Sequence, residues 1–394
     1  MTRPTLLFYC QHSLGLGHLY RSLALCEALS QRFRIVLLCG GRLPRTVTLP
    51  DSVELVALPP LGASIDGSLL SHDGRRSLAS ARRLRRDIIL RTFREERPAA
   101  VLIEFFPFGK KRFADELLPL LEAARNLDGR APLVVCSIRD ILVSRGAEQT
   151  EHDDRASDIA NRFFDAVLVH SDPGFARLEE TFKPDVAMRT PIHYTGFVVS
   201  NRSSSNGSRP APSGLVVSAG GGIVGGDLLE TAVAAHRLLD PSDRMHMNVI
   251  AGPFLDEDRW RSLRARAQGL DDFTLRRAVP DLGAELKRAA ASVSQCGYNT
   301  ALDILRARVP ALVVPFSDRD EDEQTRRALR LQELGLVRVL DPDELDAPAV
   351  ANELRALPRF EPRRVSLDMQ GGPKSLRILS DLLPERPAAP AARM

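Results

Sequence analysis

Short apolar runs alternate with amphipathic helical patterns almost from end to end of this 394-residue chain, and few folds accommodate that alternation. Runs of strand length stand at Thr5–Cys10, Arg34–Cys39, Val53–Leu58, Ala99–Glu104, Leu133–Ser137 and Ala166–His170. Between them the spacing predicts helices near 18–30, 75–96, 111–125 and 173–181. Alternating strands and helices imply a parallel sheet with helices on both faces, an α/β architecture.

The pattern breaks once, at Ser200-Asn201-Arg202-Ser203-Ser204-Ser205-Asn206-Gly207-Ser208-Arg209-Pro210, which is too polar and turn-rich for a core. It then restarts with Leu215–Ser218, a glycine loop, a helix over 227–239 and Met247–Ala251, and continues through Val337–Leu340. The length exceeds what one core usually supports, so two domains are expected. They are residues 1–199 and 213–383, joined by a linker over 200–212. The Pro/Ala-rich residues 384–394 are expected to be disordered.

Composition narrows function mainly by exclusion. With 44% hydrophobic and 27% charged residues the chain is ordinarily globular, and a net charge of +3 gives no case for nucleic acid. No run of about 18 apolar residues occurs, so no membrane span is expected. The first strand is too short for a signal peptide. The five cysteines, at 10, 26, 39, 136 and 296, form no Cys-x-x-Cys pair. Buried free thiols in a reducing cytoplasm are therefore expected.

Three segments carry the chemistry. Residues 292–324 predict a strand, a turn at Gly297, a helix over 298–307, a buried strand at Ala311–Val314 and a polar loop ending in Glu323-Gln324. Gly297, Tyr298, Asn299 and Thr300 open that helix and offer free backbone N–H groups to an anion. Asp303, one turn inside, is placed to reach a ribose hydroxyl, and Glu323 and Gln324 to hold sugar hydroxyls. The second segment, Gln11-His12-Ser13-Leu14-Gly15-Leu16-Gly17-His18, follows the first strand directly. Its glycines permit a tight turn and close ligand approach at a helix start. Imidazole is neutral and basic at pH 7, which suits His18 to general-base work, with His12 as the competing candidate. The third is the loop 219–226, with five glycines in seven residues from Gly220. No Lys-Ser/Thr follows, so it is not a Walker loop, but Gly220, Gly221 and Gly222 can cradle a diphosphate.

Together these residues resemble the GT-B glycosyltransferases, and most closely the family of the lipid-linked N-acetylglucosaminyltransferase of peptidoglycan synthesis, family 28. Ser294, Gly297, Thr300, Pro310, Val314-Pro315-Phe316 and Gln324 stand at matching places in the donor element. Asp303 replaces the family's ribose-binding Glu, and Glu323 replaces the first Gln of its sugar-contacting pair. The resemblance implies two Rossmann-like domains facing each other across a cleft. It implies an inverting, metal-independent transfer from a nucleoside diphosphate sugar, with UDP the expected nucleotide. Gly17 and the glycine loop would face the diphosphate, Val279 the nucleobase edge, and His18 the acceptor. A related family of nucleotide-sugar hydrolases in nonulosonic acid synthesis shares the opening Gly15-Leu16-Gly17-His18-Leu19-Tyr20-Arg21-Ser22-Leu23. Free-sugar release, epimerisation or simple binding of a UDP-sugar are thus the alternatives.

Three further clusters have readings of their own. Asp318, Asp320, Glu321, Asp322 and Glu323 lack the glycine of a calcium loop and any histidine, so they read as a solvated loop and helix start. No metal or other cofactor is expected. The stretch Arg75–Arg97 holds nine arginines against Asp87, Glu95 and Glu96, with Leu78, Ala81, Leu84, Ile88 and Phe93 at helical spacing. Its basic face suits a solvated outer helix, or contact with anionic lipid headgroups or an acidic acceptor. Such contact would place a cytoplasmic protein at the inner membrane face. Arg139, at the end of a buried strand, is an acceptor or phosphate contact if it does not pair with a neighbouring acid.

Overall fold

The structure is a computed structural model that describes residues 3–12, 16–43, 47, 49–63, 68–127, 131–200, 211–317 and 322–383. Most of the linker, the loop acids 318, 320 and 321, Gly15 and the tail beyond 383 lie outside these residues.

The first domain is built on β1 (Thr5–Cys10), β2 (Arg34–Cys39) and β3 (Val53–Ala57), with a small antiparallel hairpin of β4 (Leu61–Ala63) and β5 (Leu69–Ser71). Then come β6 (Ala100–Glu104), β7 (Leu133–Arg139), β8 (Ala166–His170) and β9 (Ile192–Tyr194). The main sheet runs β3-β2-β1-β6-β7-β8-β9, parallel throughout. Its helices are α1 (Gly17–Leu29), α2 (Leu78–Glu96), α3 (Ala114–Arg125) and α4 (Gln149–Phe163). Alternate side chains of each strand enter two separate cores, as the two-residue strand period requires. Leu7, Tyr9, Val36, Leu38, Val101 and Ile103 pack on one face with Ile89, Phe93 and Leu117. Leu6, Phe8, Ile35, Leu37 and Leu102 pack on the other with Leu19, Leu25 and Leu29 of α1.

The second domain repeats the plan. Its strands are β10 (Leu215–Ser218), β11 (Met247–Ile250), β12 (Phe273–Arg276), β13 (Ala291–Ser294), β14 (Ala311–Val313) and β15 (Arg338–Val339). They run β12-β11-β10-β13-β14-β15, again all parallel. Helices α5 (Gly226–Arg237), α6 (Glu257–Arg266), α7 (Leu282–Arg288), α8 (Tyr298–Ala307), α9 (Glu323–Glu333), α10 (Ala347–Ala356) and α11 (Gly371–Leu382) complete it in sequence. In space α11 does not stay there. It packs along α1, with Leu379 in the same core as Leu19 and Leu25. Residues 360–370 cross back, and α11 covers the first domain.

The segment 173–181 is not a helix; only Leu178–Glu180 makes a three-ten turn. Pro173 and Gly174 instead form a tight turn in which Phe175 N donates to Asp172 O at 2.8 Å. In α2 the inner stripe is Ala81, Arg85, Ile89, Thr92 and Phe93, so one arginine of the expected basic face is fully buried. Arg85 bonds Glu116 at 2.5 and 2.8 Å, Gln11 Oε1 at 2.8 Å and the carbonyls of Gly40 and Pro59. No helix among the described residues is long and apolar enough to cross a membrane. All five cysteines are buried and free.

In each sheet the strand order reverses beside the first strand, between β1 and β6 and between β10 and β13. Loops diverge there and open a crevice at the carboxyl ends of the strands, where ligands of such folds bind. The chemistry-bearing segments all start at these two points.

Candidate active site

His18 stands in the first turn of α1, directly after β1. Its ring meets Glu104, the last residue of β6, across the first crevice, with Nδ1 2.5 Å from Oε1. Glu104 is wholly buried, whereas the His18 side chain keeps 19% exposure. An ionised carboxylate only accepts, so Nδ1 carries the proton and Nε2 is left with its lone pair. The same Oε1 accepts from buried Arg21. His18, Arg21 and Lys110 hold the Glu104 carboxyl down at about 2 against the opposing effect of burial, so it stays ionised. Burial pulls His18 down to about 3, and the Lys110 cation adds to this, outweighing the attraction of Glu104. The ring is therefore a neutral base throughout the physiological range. Phe105, edge-on at 5.6 Å between ring centroids, walls one side of it.

In the sequence Glu104 reads only as a strand end, and nothing there singles it out as a partner of His18. The available signal is an acid closing the otherwise apolar run Ala100–Ile103 on the crevice side of the sheet. His12, one strand end earlier, is 3% exposed. Its ring lies 3.7 Å from Cys39 Sγ and fills the space beside Gly41, so it is not offered to an acceptor.

The second crevice is lined by two helix starts. Gly225 caps α5 with φ +94°, and a Cβ there would meet Gln295 Nε2 at 2.7 Å. Gly222, at φ +85°, would drive a Cβ to 2.6 Å from Ala251 O. Only glycine fits both positions, while Gly220 borders open space. Gly221 lies in the same turn, its carbonyl accepting from Phe254 N. Gly297 opens α8 with no side-chain cap and with open space where a Cβ would point. Side-chain caps from Ser77, Asp256, Asp281 and Asp346 close α2, α6, α7 and α10, whereas α5 and α8, like α1, α3, α4, α9 and α11, have none. The leading N–H groups of α5 and α8 are thus left for an anion.

Other predicted residues fill particular places in the interface between the domains. Asn299 Nδ2 donates to Gly17 O at 3.0 Å, joining the start of α8 to that of α1. Tyr298 points its hydroxyl into the first domain, where it donates to His170 O at 3.0 Å and accepts from Val198 N. Thr300 is buried in the first turn of α8. Arg139 and Glu323, assigned above to acceptor and sugar, form an ion pair with each other across the domains. Beside it Arg327 grips Asp140 with bonds of 2.8 and 2.7 Å, both side chains buried. Gln324 Oε1 accepts from Cys296 N and Phe316 N at 3.0 and 3.2 Å, tying the α8 turn to the loop after β14. Val279 is half-buried against the α8–α9 core. Asp303 lies against Gly283, and burial, with the Asp281 charge, raises it to about 7.

These shifts set an acid response. His12, His18 and His170 sit at about 4, 3 and 3, each lowered chiefly by burial. Between pH 6.5 and 4 each takes up a proton only on unfolding, so stability falls as pH falls through that window. Asp303, raised to about 7, acts the other way by one proton. His236 is lowered by burial as well, so the histidines outnumber this opposing proton and the net effect of acidification is a loss of stability. Denaturant midpoints measured from pH 7 down to pH 4.5 should drop steeply; a flat series would contradict the neutral histidines.

Among the described residues no group of three His, Cys, Asp or Glu is placed to hold a metal ion. Residues 225–370 match the glycosyltransferase family 28 C-terminal domain. The whole chain is similar in fold to CalG4, the calicheamicin glycosyltransferase, at 19% identity and a TM-score of 0.59, covering 97% of this chain and 95% of that one. It is also similar to MurG of Acinetobacter baumannii at 14% identity, TM-score 0.55, covering 96% and 99%. UGT2 of Phytolacca americana, solved with UDP-2-fluoro-glucose and pterostilbene, shares 16% identity at TM-score 0.59, covering 97% and 95%. No curated protein matches the chain in sequence. With two parallel sheets, a crevice in each and this match in the second domain, the chain has the GT-B fold and carries a domain matching the glycosyltransferase family 28 C-terminal domain.

Proposed function

We propose that the protein transfers a sugar from a nucleoside diphosphate sugar, with UDP the expected nucleotide, to an acceptor hydroxyl or amine, inverting the anomeric centre without a metal. The observation that carries this reading is the His18–Glu104 pair standing opposite the uncapped start of α8, with Asn299 joined to Gly17 between them. Nε2 of His18 takes the acceptor proton as the acceptor attacks C1, and the bond from C1 to the diphosphate breaks. Glu104 steadies the imidazolium that forms. Attack from the face opposite the leaving group gives inversion. The charge on the departing diphosphate is met by the N–H groups of the glycine loop and of Gly297–Thr300, which supports metal independence. The UDP assignment is supported by the nucleotides bound in Phytolacca americana UGT2 and in TcCGT1. Asp303 is the residue assigned to the ribose. The raised carboxyl lets it donate as well as accept there.

A panel of nucleoside diphosphate sugars, incubated with cell extract and followed by mass spectrometry, tests the reading. Nucleotide release that depends on extract, an inverted product and indifference to chelator are expected. His18→Ala should lose roughly 10²–10⁴-fold in rate while still binding UDP. Full transfer by that variant would defeat the role given to His18; release of free sugar without extract would defeat transfer.

A further inference from the structure

Phe105 is the first residue after β6, next to Glu104, and its backbone lies at φ +70°, in the left-handed region that a bulky side chain rarely enters. The fold holds it there from both ends. Phe105 N donates to Ser137 O on β7, and Phe105 O accepts from Gly109 N, both at 2.9 Å. Gly109 lies so close to the Phe105 ring that a Cβ there would collide with Cδ1 and Cε1. Strain of this kind persists only where the surroundings over-determine it, and it gathers at functional sites.

The ring so placed serves two partners. It stands against His18, at 67° between planes and 5.6 Å between centroids. The Arg139 guanidinium also lies over it, with Cζ 5.2 Å from the ring centroid. A planar guanidinium and an aromatic face suit each other. Arg139 in turn is ion-paired with Glu323, at the start of α9 in the second domain. Its Nε–H meets no hydrogen-bond acceptor among the described residues, so the ring and that carboxylate hold the side chain. Neighbouring residues share the grip: Asp140 bonds Arg327, and Ser144 N donates to Asp322 Oδ1 at 3.0 Å. The segment that follows β7 is thus seized by the first turns of α9.

We propose that Phe105 and Arg139 are positioning residues that seat the His18 imidazole only while Glu323 of the second domain holds Arg139. The inference rests on the reading of His18 as the base. Glu323 stands at the place assigned to the donor sugar, so one contact both joins the domains and braces the ring. When the domains part, Arg139 loses its carboxylate and the Phe105 ring loses its brace. His18 then loses the wall that keeps water from it. Burial and the Lys110 cation keep the imidazole neutral, and the Arg139 charge adds to them. An open crevice therefore holds no seated base, and the substrates meet one only after closure.

Nitrogen-15 spectra of the histidine rings, recorded on the full chain without substrate, test the seating apart from the chemistry. The His18 signals, assigned by their loss in His18→Ala, should show a neutral Nδ1–H ring down to about pH 5. Glu323→Gln keeps the size of the side chain and removes the charge that holds Arg139. Arg139→Lys keeps the charge but not the flat surface laid on Phe105. Phe105→Leu removes the ring itself, and the two milder variants guard against its misfolding. In all three, His18 should titrate at higher pH and lose its single tautomer as water reaches the ring. In transfer assays Arg139→Lys and Phe105→Leu should each lower kcat roughly tenfold while the affinity for UDP is unchanged. The double variant should be no slower than Phe105→Leu alone, because the two residues act in one chain of contacts. Unchanged His18 spectra in Glu323→Gln and Arg139→Lys, or losses of rate that multiply in the double variant, overturn the proposal. Spectra that respond while His18→Ala keeps full transfer defeat the base instead and leave the seating intact.

Discussion

Glu104→Gln is expected to slow transfer by roughly 10²–10⁴-fold with little change in donor binding. The replacement keeps the size of a side chain that is wholly buried, so the crevice retains its shape. What it loses is the charge that fixes the ring. A carboxylate accepts from Nδ1–H only, whereas an amide can also donate to Nδ1 and move the proton to Nε2. The ring then presents N–H to the acceptor in place of a lone pair. The effect should fall on kcat and leave KM for the donor nearly unmoved, because Glu104 stands on the first-domain side. Arg21 also loses its carboxylate partner, so the melting temperature of the variant must be compared with the parent. A variant that folds normally and keeps a third or more of the rate would remove Glu104 from the chemistry.

Asp140→Ala should lose about 3–5 kcal/mol of unfolding free energy, the cost of leaving a buried charge without its partner. Arg327 is 2% exposed, and its guanidinium spends two bonds on Asp140 and a third, of 2.8 Å, on Cys296 O. Nothing else nearby takes over, since the Glu323 carboxylate is 3.9 Å away and already paired with Arg139. Because Asp140 and Arg327 belong to different domains, the loss should separate the two in calorimetry as well as lower stability. Pairing the change with Arg327→Met should restore much of it, since an apolar pair tolerates burial. A loss below about 1 kcal/mol in the single variant would show the bridge to be dispensable.

Much of the fold was legible because parallel strands are apolar along their whole length. The runs at Thr5–Cys10, Arg34–Cys39 and Ala166–His170 coincide with strands. The helix over 298–307 matches α8. What stayed hidden broke the link between burial and hydrophobicity. α4 buries His152, Asp153 and Ser157 alongside Ala156, Ala160 and Phe163, so polar residues interrupt its inner stripe. Arg85 looks solvated in sequence, yet a network of hydrogen bonds pays its desolvation. Glu104 is legible as a position but not as a partner, because its meeting with His18 spans 86 residues and depends on strand order. The pairing of Arg139 with Glu323 was hidden for the same reason.

The return of α11 to α1 has a consequence for synthesis on the ribosome. Gly372 sits so close to Ala28 that a Cβ there would stand 2.9 Å from it, and Leu379 completes the core around Leu19 and Leu25. That flank of the first domain stays bare until residue 382 has cleared the exit tunnel. Nascent chains ordinarily acquire their structure domain by domain from the amino end. Here α1 waits for α11, and the amino-terminal half stays open to chaperones and proteases until that helix has emerged.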